Sequence, residues 1–198
     1  MSTPDRRTLI ADTAIDLVAA AGLRGLTHRA VDRAAHLPAG STSYYFRTRT
    51  ALIGACYQRL AELDLGDIED GGAGSPGGPA DREAAAQALA EVLYRWLTTG
   101  KARQLARFEL SLEAARNPEL ESDLHRAGQA ARARAAAVLA ALGAQRPQES
   151  AELLAAWTDG LLYDRLAGAL ARSRPAPDRT ELASAVRRML DAVLSANG

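Results

Sequence analysis

Apolar residues recur every three or four positions along most of the chain, which places them on one face of an α-helix. The first such run extends from Leu9 to Ala21 and closes at Gly22, a residue type that commonly ends helices. No segment alternates apolar and polar residues as a half-buried strand would. The pattern therefore predicts an all-α fold of about nine helices.

Three further helices are predicted between residues 27 and 65. Thr27 is the expected N-cap of the first. Pro38 ends it, because a proline disfavours the helical conformation of the residue before it. The second is predicted over residues 39–46 and the third over residues 48–65. The predicted inner face of the first consists of Val31, Ala34 and Ala35. That of the third consists of Leu52, Ile53, Cys56, Leu60 and Leu63.

A second group of helices is predicted in the remainder of the chain. The glycines and prolines of residues 66–80 cannot form a packed element, so this segment is expected to be a flexible loop. Asn117 and Pro118 have the sequence of a capped helix start, with proline at the first helical position. The pattern divides the chain into a domain at 1–65, the loop, and a larger domain at 81–198. The helices of the larger domain are predicted over residues 81–99, 101–116, 118–142, 147–172 and 179–196.

The charges are distributed unevenly, although the formal net charge of the 198 residues is zero. Residues 1–55 contain seven arginines and four aspartates, a charge of +3, which indicates an anionic partner for this end of the chain. The single cysteine, Cys56, allows no internal disulfide, and no apolar stretch is long enough to cross a bilayer. We therefore expect a soluble, cytoplasmic protein.

Residues 37–52, LPAGSTSYYFRTRTAL, are too aromatic for an ordinary surface loop and too polar for a core. Two short helices joined by a tight turn, with a longer helix before them, are typical of a helix-turn-helix. A glycine lets the backbone approach a DNA strand, hydroxyls and phenols can reach base edges and phosphates, and arginines neutralise phosphates. The predicted DNA contacts from the second short helix and its flanks are Gly40, Ser41, Thr42, Ser43, Tyr44, Tyr45, Arg47 and Arg49.

These residues resemble the DNA-binding domain of the tetracycline-repressor (TetR) family of transcriptional regulators. The resemblance extends from about Arg6 to Leu60 and includes the segment GSTSYYF-x-x-R-x-x-L. It implies a phosphate-contacting cap at Thr27, a core position for Phe46 and a phosphate-binding basic residue at Arg49. The complete predicted DNA-binding set is Thr27, His28, Arg29, Ala39, Gly40, Ser41, Thr42, Ser43, Tyr44, Tyr45, Arg47 and Arg49.

The turn before the second short helix departs from the Ala-Gly-Val-Ser that the family usually has. His36 stands where the family has a glycine, and Pro38 stands where it has a capping serine. The usual tyrosine position is taken by Ser43, with Tyr44 directly after it. The resemblance therefore implies the fold and the DNA-facing surface rather than individual base contacts.

Other classes of site are not indicated by the sequence. His28 and His36 are eight residues apart and have no third ligand nearby, so no metal site is predicted. No Gly-rich phosphate loop follows a predicted strand, and no nucleophile, histidine and acid form a plausible catalytic set. We expect neither a cofactor nor an enzymatic activity.

The larger domain contains candidates for an effector pocket and for a dimer interface. Its aromatic side chains can line a cavity for a small molecule, although packing in a core or a dimer interface explains them equally well. Small residues in a row on one helix and an apolar stripe on the last helix favour a four-helix contact between two copies. The candidates are Trp96, Phe108, Leu112, His125 and Trp157 for the pocket, and Gly160, Tyr163, Ala167, Ala171, Val186, Met189 and Val193 for the interface.

Together these features predict a one-component transcriptional regulator, a repressor that binds an inverted-repeat operator in double-stranded DNA as a homodimer. A small-molecule effector would release it, and the helix predicted over residues 48–65 would transmit the signal. The alternative is a helical ligand-binding protein whose helix-turn-helix is not functional. Non-specific DNA packaging fits poorly, because the basic excess of residues 1–55 is small.

Overall fold

The computed structural model describes residues 5–73 and 81–195 of the chain. These residues form nine α-helices and no β-strand, which confirms the predicted all-α fold. Residues 74–80, a part of the predicted loop, lie outside the described residues. None of the described helices is long and apolar enough to cross a membrane. The helices are α1 (Arg6–Gly25), α2 (His28–Ala34), α3 (Ser41–Tyr45), α4 (Arg49–Ile68), α5 (Arg82–Leu97), α6 (Lys101–Ala114), α7 (Glu121–Ala141), α8 (Pro147–Leu166) and α9 (Arg179–Ser195).

The described residues form two compact units, which we call the first and the second unit. The first unit contains residues 5–62 and 102–127, and the second contains the other described residues. The sequence assigned all of 81–198 to one domain, whereas α6 and the start of α7 pack in the first unit. Leu110 of α6 and Leu120, in the 3₁₀ turn directly before α7, are fully buried in the core that α1, α2 and α4 build. Helical periodicity identifies an apolar face but not the core that the face joins.

Capping residues determine the local structure at the start of the first unit. Gly22 has a φ of +65° and interrupts α1, as expected for a helix-ending glycine. The Thr27 hydroxyl accepts a hydrogen bond from Ala30 N at 3.1 Å, which confirms the predicted N-cap of α2. On the inner face of α2, Val31 is buried, but Ala34 is exposed. The prediction for Ala34 was wrong because α2 ends there, and a buried aspartate completes the inner face instead.

Helix α3 is shorter and α4 is longer than the sequence predicts. Helix α3 begins at Ser41 because Gly40, with a left-handed φ of +90°, lies before it as the N-cap. Helix α4 extends to Ile68, and Glu69–Ala73 continue it as one π-helical turn. The first part of the segment predicted as a flexible loop is therefore helical.

Contacts within the second unit hold the end of α4 on α5. The Asp67 carboxylate accepts a hydrogen bond from the Trp96 indole at 2.8 Å and lies 3.8 Å from the Arg95 guanidinium. A Cβ on Gly71 would lie 2.8 Å from the Val92 side chain, so the π-helical turn can approach α5 this closely only with glycine there. These contacts explain why a glycine-rich segment forms helical structure at this point.

The second unit is built mainly from α5, α8 and α9. Helix α9 buries Leu182, Val186, Leu190 and Val193. Exposed ion pairs contribute little stability each, so the apolar burial provides most of the attachment of α9. The ion pairs that join α5 and α9 are Arg82–Asp191 at 2.8 Å, Glu83–Arg187 at 2.7 Å and Glu91–Arg179 at 2.7 Å.

The turn between α2 and α3 contains a residue in an unfavourable backbone conformation. His36 has a φ of +53°, the left-handed region in which a β-carbon is disfavoured, and its side chain is exposed. We expect His36→Gly to raise the free energy of unfolding by about 0.5–1 kcal/mol, because glycine adopts this conformation without strain. Urea denaturation of the two proteins measures the difference.

Gly143→Ala is the matched control for His36→Gly, and its expected effect on the free energy of unfolding has the opposite sign. Gly143 has a φ of +93°, and no atom lies within 4 Å of an added Cβ, so alanine introduces backbone strain without a clash. We expect it to destabilise the protein by about 1 kcal/mol. Destabilisation by His36→Gly would show that the histidine side chain contributes more than its backbone strain costs.

Candidate nucleic-acid interface

A buried carboxylate fixes the geometry of the helix-turn-helix. Asp32, on the inner side of α2, is only 4% exposed. Its Oδ2 accepts a hydrogen bond from Gly40 N at 2.8 Å, and its Oδ1 accepts two from Thr42, from the backbone N at 2.8 Å and from the hydroxyl at 2.6 Å. Asp32 therefore satisfies the N–H groups at the start of α3 from a neighbouring helix. This explains how Pro38 can stand where a capping serine is usual.

The same hydrogen bonds keep Asp32 in its charged form. Burial by itself would raise its pKa, but the hydrogen bonds from Thr42 and Gly40 outweigh burial and hold the pKa below the ordinary 3.8. The electrostatic interaction with His28 acts in the same direction. The sequence analysis missed Asp32, although an acid directly after the inward-facing Val31 was a signal for a buried carboxylate.

The surface of α3 is exposed where contacts to DNA were predicted. Tyr44 is 80% exposed. Its ring contacts the Tyr45 ring edge-on, with 5.1 Å between the ring centroids. Tyr45 is half-buried, since neighbouring residues of a helix point in directions about 100° apart. The other predicted contact residues that are exposed are Thr27, Arg29, Ala39, Gly40, Ser43, Arg47 and Arg49.

Three of the predicted contact residues form hydrogen bonds within the protein instead. Thr42 is fully buried and its hydroxyl is used by the aspartate of α2, which removes it from the predicted contact surface. The His28 Nε2–H donates to the Phe46 carbonyl at 2.7 Å, since a carbonyl can only accept. The Ser41 hydroxyl donates to the Pro38 carbonyl at 2.6 Å. These side chains hold α3 in place.

Arg49 also has partners within the first unit. Its guanidinium donates to the Leu23 carbonyl at 2.9 Å and to the Glu113 carboxylate at 3.2 Å. On the same helix, the Tyr57 hydroxyl donates to the Leu110 carbonyl at 2.7 Å. Burial, assisted by the charge of Glu113, raises the pKa of Tyr57 to about 12, so the hydroxyl stays protonated and remains a donor. Both side chains tie α4 to α6, which differs from the open phosphate clamp that the sequence predicted for Arg49.

A cleft of about 600 Å³ opens beside α3 in the first unit. Tyr44, Arg47 and Arg7 are among the residues that line it. The Arg7 guanidinium lies 5.0 Å from the centroid of the Phe46 ring and 5.9 Å from that of Tyr45. The sequence analysis missed Arg7, because nothing in the pattern of α1 distinguishes it from any exposed arginine.

The five predicted effector-pocket residues are divided between the two units. Trp96 is buried in the second unit, and Trp157 lines a surface groove there. Phe108, Leu112 and His125 belong to the first unit, where Leu112 is 52% exposed. Neither the cleft beside α3 nor this surface groove is lined by all five residues. The prediction combined residues of two separate packing units, which the helical pattern could not distinguish.

The predicted dimer interface corresponds in part to an open groove along α8 and α9. This groove has a volume of about 460 Å³ and is lined by Trp157, Gly160 and Met189, among others. Tyr163, on α8, is 51% exposed. No atom lies within 4 Å of a Cβ added to Gly160, so the surface of α8 is open at that point.

Five of the seven predicted interface residues, Tyr163 among them, do not line this groove. Val186 and Val193 are buried within the second unit, because the apolar stripe of α9 packs on its own core. Helix α8 ends at Leu166 rather than at residue 172, and the Tyr163 carbonyl accepts hydrogen bonds from the backbone N–H groups of both residues 167 and 168. Ala167 and Ala171 therefore do not continue the surface of α8, and their predicted place on it was wrong.

Comparison with known proteins relates both the sequence and the fold to one family. Residues 80–192 match the family described as Tetracyclin repressor-like, C-terminal domain. No curated protein sequence matches the chain. Among solved structures, the chain is similar to the multidrug binding protein EbrR complexed with imidazole, with 30% identity and a TM-score of 0.68. That similarity covers 94% of this chain and 96% of the EbrR chain.

Two further solved structures extend the comparison. A member of the TetR family from Streptomyces coelicolor A3 is 27% identical over 94% of this chain and 98% of its own, with a TM-score of 0.70. GusR from Salmonella enterica shares the fold, with a TM-score of 0.73 at 21% identity over 96% of this chain and 95% of its own. The family match covers more than half of the chain, and the resemblance of residues 6–60 agrees with it. The chain belongs to the tetracycline-repressor (TetR) family of transcriptional regulators.

Proposed function

We propose that the first unit reads an operator half-site through α3 and that the protein regulates transcription by this binding. The exposure of Tyr44, at 80%, supports the proposal most strongly. A large aromatic side chain on the surface of a short, well-anchored helix can place its ring against a thymine methyl and its hydroxyl against a phosphate. Arg29 and Arg47, both exposed in the same helix-turn-helix, supply positive charge for the DNA backbone.

Two copies of the chain are proposed to bind an inverted repeat. The groove along α8 and α9 leaves Trp157 and Met189 half-buried next to the open surface at Gly160, and a second copy packed on it would bury them further. A two-fold dimer presents two recognition helices to successive major grooves, about 34–36 Å apart. The operator is therefore expected to contain two half-sites one helical turn apart, in opposite orientation.

A small-molecule effector is proposed to act on the second unit and to reach α3 through α4. EbrR is described as a multidrug binding protein, and its structure was solved with imidazole and with ethidium. The similarity to EbrR supports a small-molecule effector for the present protein as well. Helix α4 contributes residues to both units, and Asp67 near its end is bonded to Trp96 of α5. A ligand that displaces α5 would therefore move α4 and change the separation of the two recognition helices, which lowers operator affinity.

A pair of substitutions at Tyr44 tests the proposed base contact. Tyr44→Ala is expected to weaken binding to the DNA upstream of the protein's own gene by about 1–3 kcal/mol per half-site and to reduce discrimination against scrambled DNA. Tyr44→Phe keeps the ring and removes the hydroxyl, so it separates a contact to a base from a contact to a phosphate. Mobility shifts at several salt concentrations measure both affinities.

The results also distinguish the alternatives. Wild-type protein that binds upstream and scrambled DNA equally would favour a helical ligand-binding protein with a non-functional helix-turn-helix. An unchanged ratio of specific to non-specific affinity in Tyr44→Ala would show that Tyr44 contacts a phosphate rather than a base.

A further inference from the structure

The arginines around the helix-turn-helix fall into two groups. Arg49 and Arg59 each pair with a carboxylate of the first unit, at 3.2 and 2.7 Å. Arg7 and Arg47 have no ion pair among residues 5–73 and 81–195, and both line the cleft beside α3. The positive charges of this second pair are therefore available to an external anion.

Aromatic rings rather than a salt bridge hold Arg7 in position. Its guanidinium lies over Phe46, at 5.0 Å, and near Tyr45, at 5.9 Å. Phe46 is only 7% exposed, so the stacking surface is fixed by the core of the first unit. A guanidinium on aromatic faces is attracted by the rings, while the N–H donors at its edge stay free for the oxygens of an anion.

The acidic residue in the cleft does not cancel this charge. The Asp123 carboxylate lies 3.4 Å from the Arg126 guanidinium, whose positive charge offsets the negative charge of Asp123. It packs against Gly54 of α4, where an added Cβ would lie only 2.6 Å from the carboxylate. The charge balance of the cleft near Arg7 and Arg47 therefore favours an anion.

We propose that Arg7 and Arg47 together bind a phosphate of the DNA backbone at this cleft, and that Arg49 braces α4 rather than binding DNA. The inference rests on the proposed DNA binding and identifies a part of the contact surface for it. Tyr44 and Arg47 belong both to the exposed surface of α3 and its flank and to the cleft lining. A strand whose bases lie against α3 would pass the cleft, and a phosphate is the only strong anion that it presents there.

The salt dependence of DNA binding tests the assignment. We expect Arg7→Gln to make the slope of log K against log salt concentration shallower by about 0.9 per protomer, equally on a duplex of the upstream DNA and on a scrambled duplex. Arg7→Lys keeps the charge and is expected to keep the slope. Arg49→Gln is the matched control, for which we expect an unchanged slope and a lower melting temperature, because it loses its contacts to α6 and to the end of α1.

Each outcome decides for or against the phosphate site. An unchanged slope in Arg7→Gln would overturn the inference and leave DNA binding intact, and a flattened slope in Arg49→Gln would assign a phosphate contact to Arg49 instead. If wild-type protein bound neither duplex in a salt-dependent manner, the proposed function would fail, and the inference would fail with it. Should Arg7→Gln not fold, Arg47→Gln changes an exposed residue with no ion pair among the described residues, and it must flatten the slope by the same amount.

Discussion

Replacement of Asp32 by asparagine is expected to lower the free energy of unfolding by about 2–3 kcal/mol. The side chain keeps its volume, but one amide oxygen replaces two carboxylate oxygens that accept three hydrogen bonds from Gly40 and Thr42. The amide N–H groups would face other donors, and at least one buried donor would remain unsatisfied. Helix α3 then loses its anchor and must be ordered when the protein binds DNA, at a cost in binding free energy. We therefore also expect specific DNA binding to weaken by roughly tenfold. Urea denaturation and mobility shifts measure the two effects.

The stability difference between the wild type and Asp32→Asn is expected to depend on pH. The pKa of Asp32 is lowered in the folded protein by its hydrogen bonds, in spite of burial. The stability that its charge contributes is therefore fully present above the unfolded pKa of about 3.9 and is lost as the pH falls through the folded pKa. The difference should be constant from neutral pH to about pH 5 and should narrow below about pH 4. A difference that stays constant into the acid range would contradict a charged Asp32.

Substitutions at Thr42 show whether Asp32 acts through the bonds at the start of α3. Thr42→Ser keeps the hydroxyl, whereas Thr42→Val keeps the volume and removes the donor to Asp32. We expect the valine variant to weaken DNA binding more than the serine variant does. Combined with Asp32→Asn, the valine substitution should cost less than the sum of the two single changes. Additive effects would show that the two residues act independently.

The helices could be predicted because their signals are local. Gly22 ends the regular part of α1 and Thr27 caps α2, and each acts on residues within one turn. The assignment of α6 to the first unit could not be predicted in the same way. Leu110 of α6 is an apolar residue at helical spacing, and this spacing is compatible with any nearby core. Long-range packing decides which core it joins.

The candidate site was predictable in outline but not residue by residue. Helical geometry requires that one of Tyr44 and Tyr45 be exposed, since adjacent residues of a helix cannot both be buried, and the fold shows that the exposed one is Tyr44. Thr42 and Arg49 could not be distinguished from residues that contact DNA, since a hydroxyl and a guanidinium can bind DNA and an internal partner equally well. Their internal partners, Asp32 and Glu113, lie 10 and 64 residues away in sequence, and only the fold shows that they meet.

Substitution of arginine for Gly160 is expected to convert the proposed dimer into a folded monomer that binds the operator 10²–10⁴-fold more weakly. In a dimer, the second recognition helix meets its half-site at an effective concentration on the order of millimolar, and the monomer loses this advantage. Within one copy the change is harmless, because no atom lies within 4 Å of an added Cβ and arginine favours a helix more than glycine does. In a two-fold contact along α8, each substitution appears twice. Two arginines then lie close to the same axis, where bulk, like charge and desolvation all oppose association.

Gly66→Arg is the matched control for this experiment, because Gly66 is also a helical glycine with no atom within 4 Å of an added Cβ, and it lies on α4 rather than on the groove. We expect it to remain dimeric. Sedimentation velocity at micromolar concentration measures the oligomeric state, and circular dichroism verifies that Gly160→Arg stays helical. Met189→Glu, on the α9 side of the groove, should give the same monomer, since a carboxylate in an apolar contact is costly to desolvate. A wild-type monomer, or a Gly160→Arg dimer, would place the contact between copies elsewhere on the molecule, and the groove would then need a different occupant.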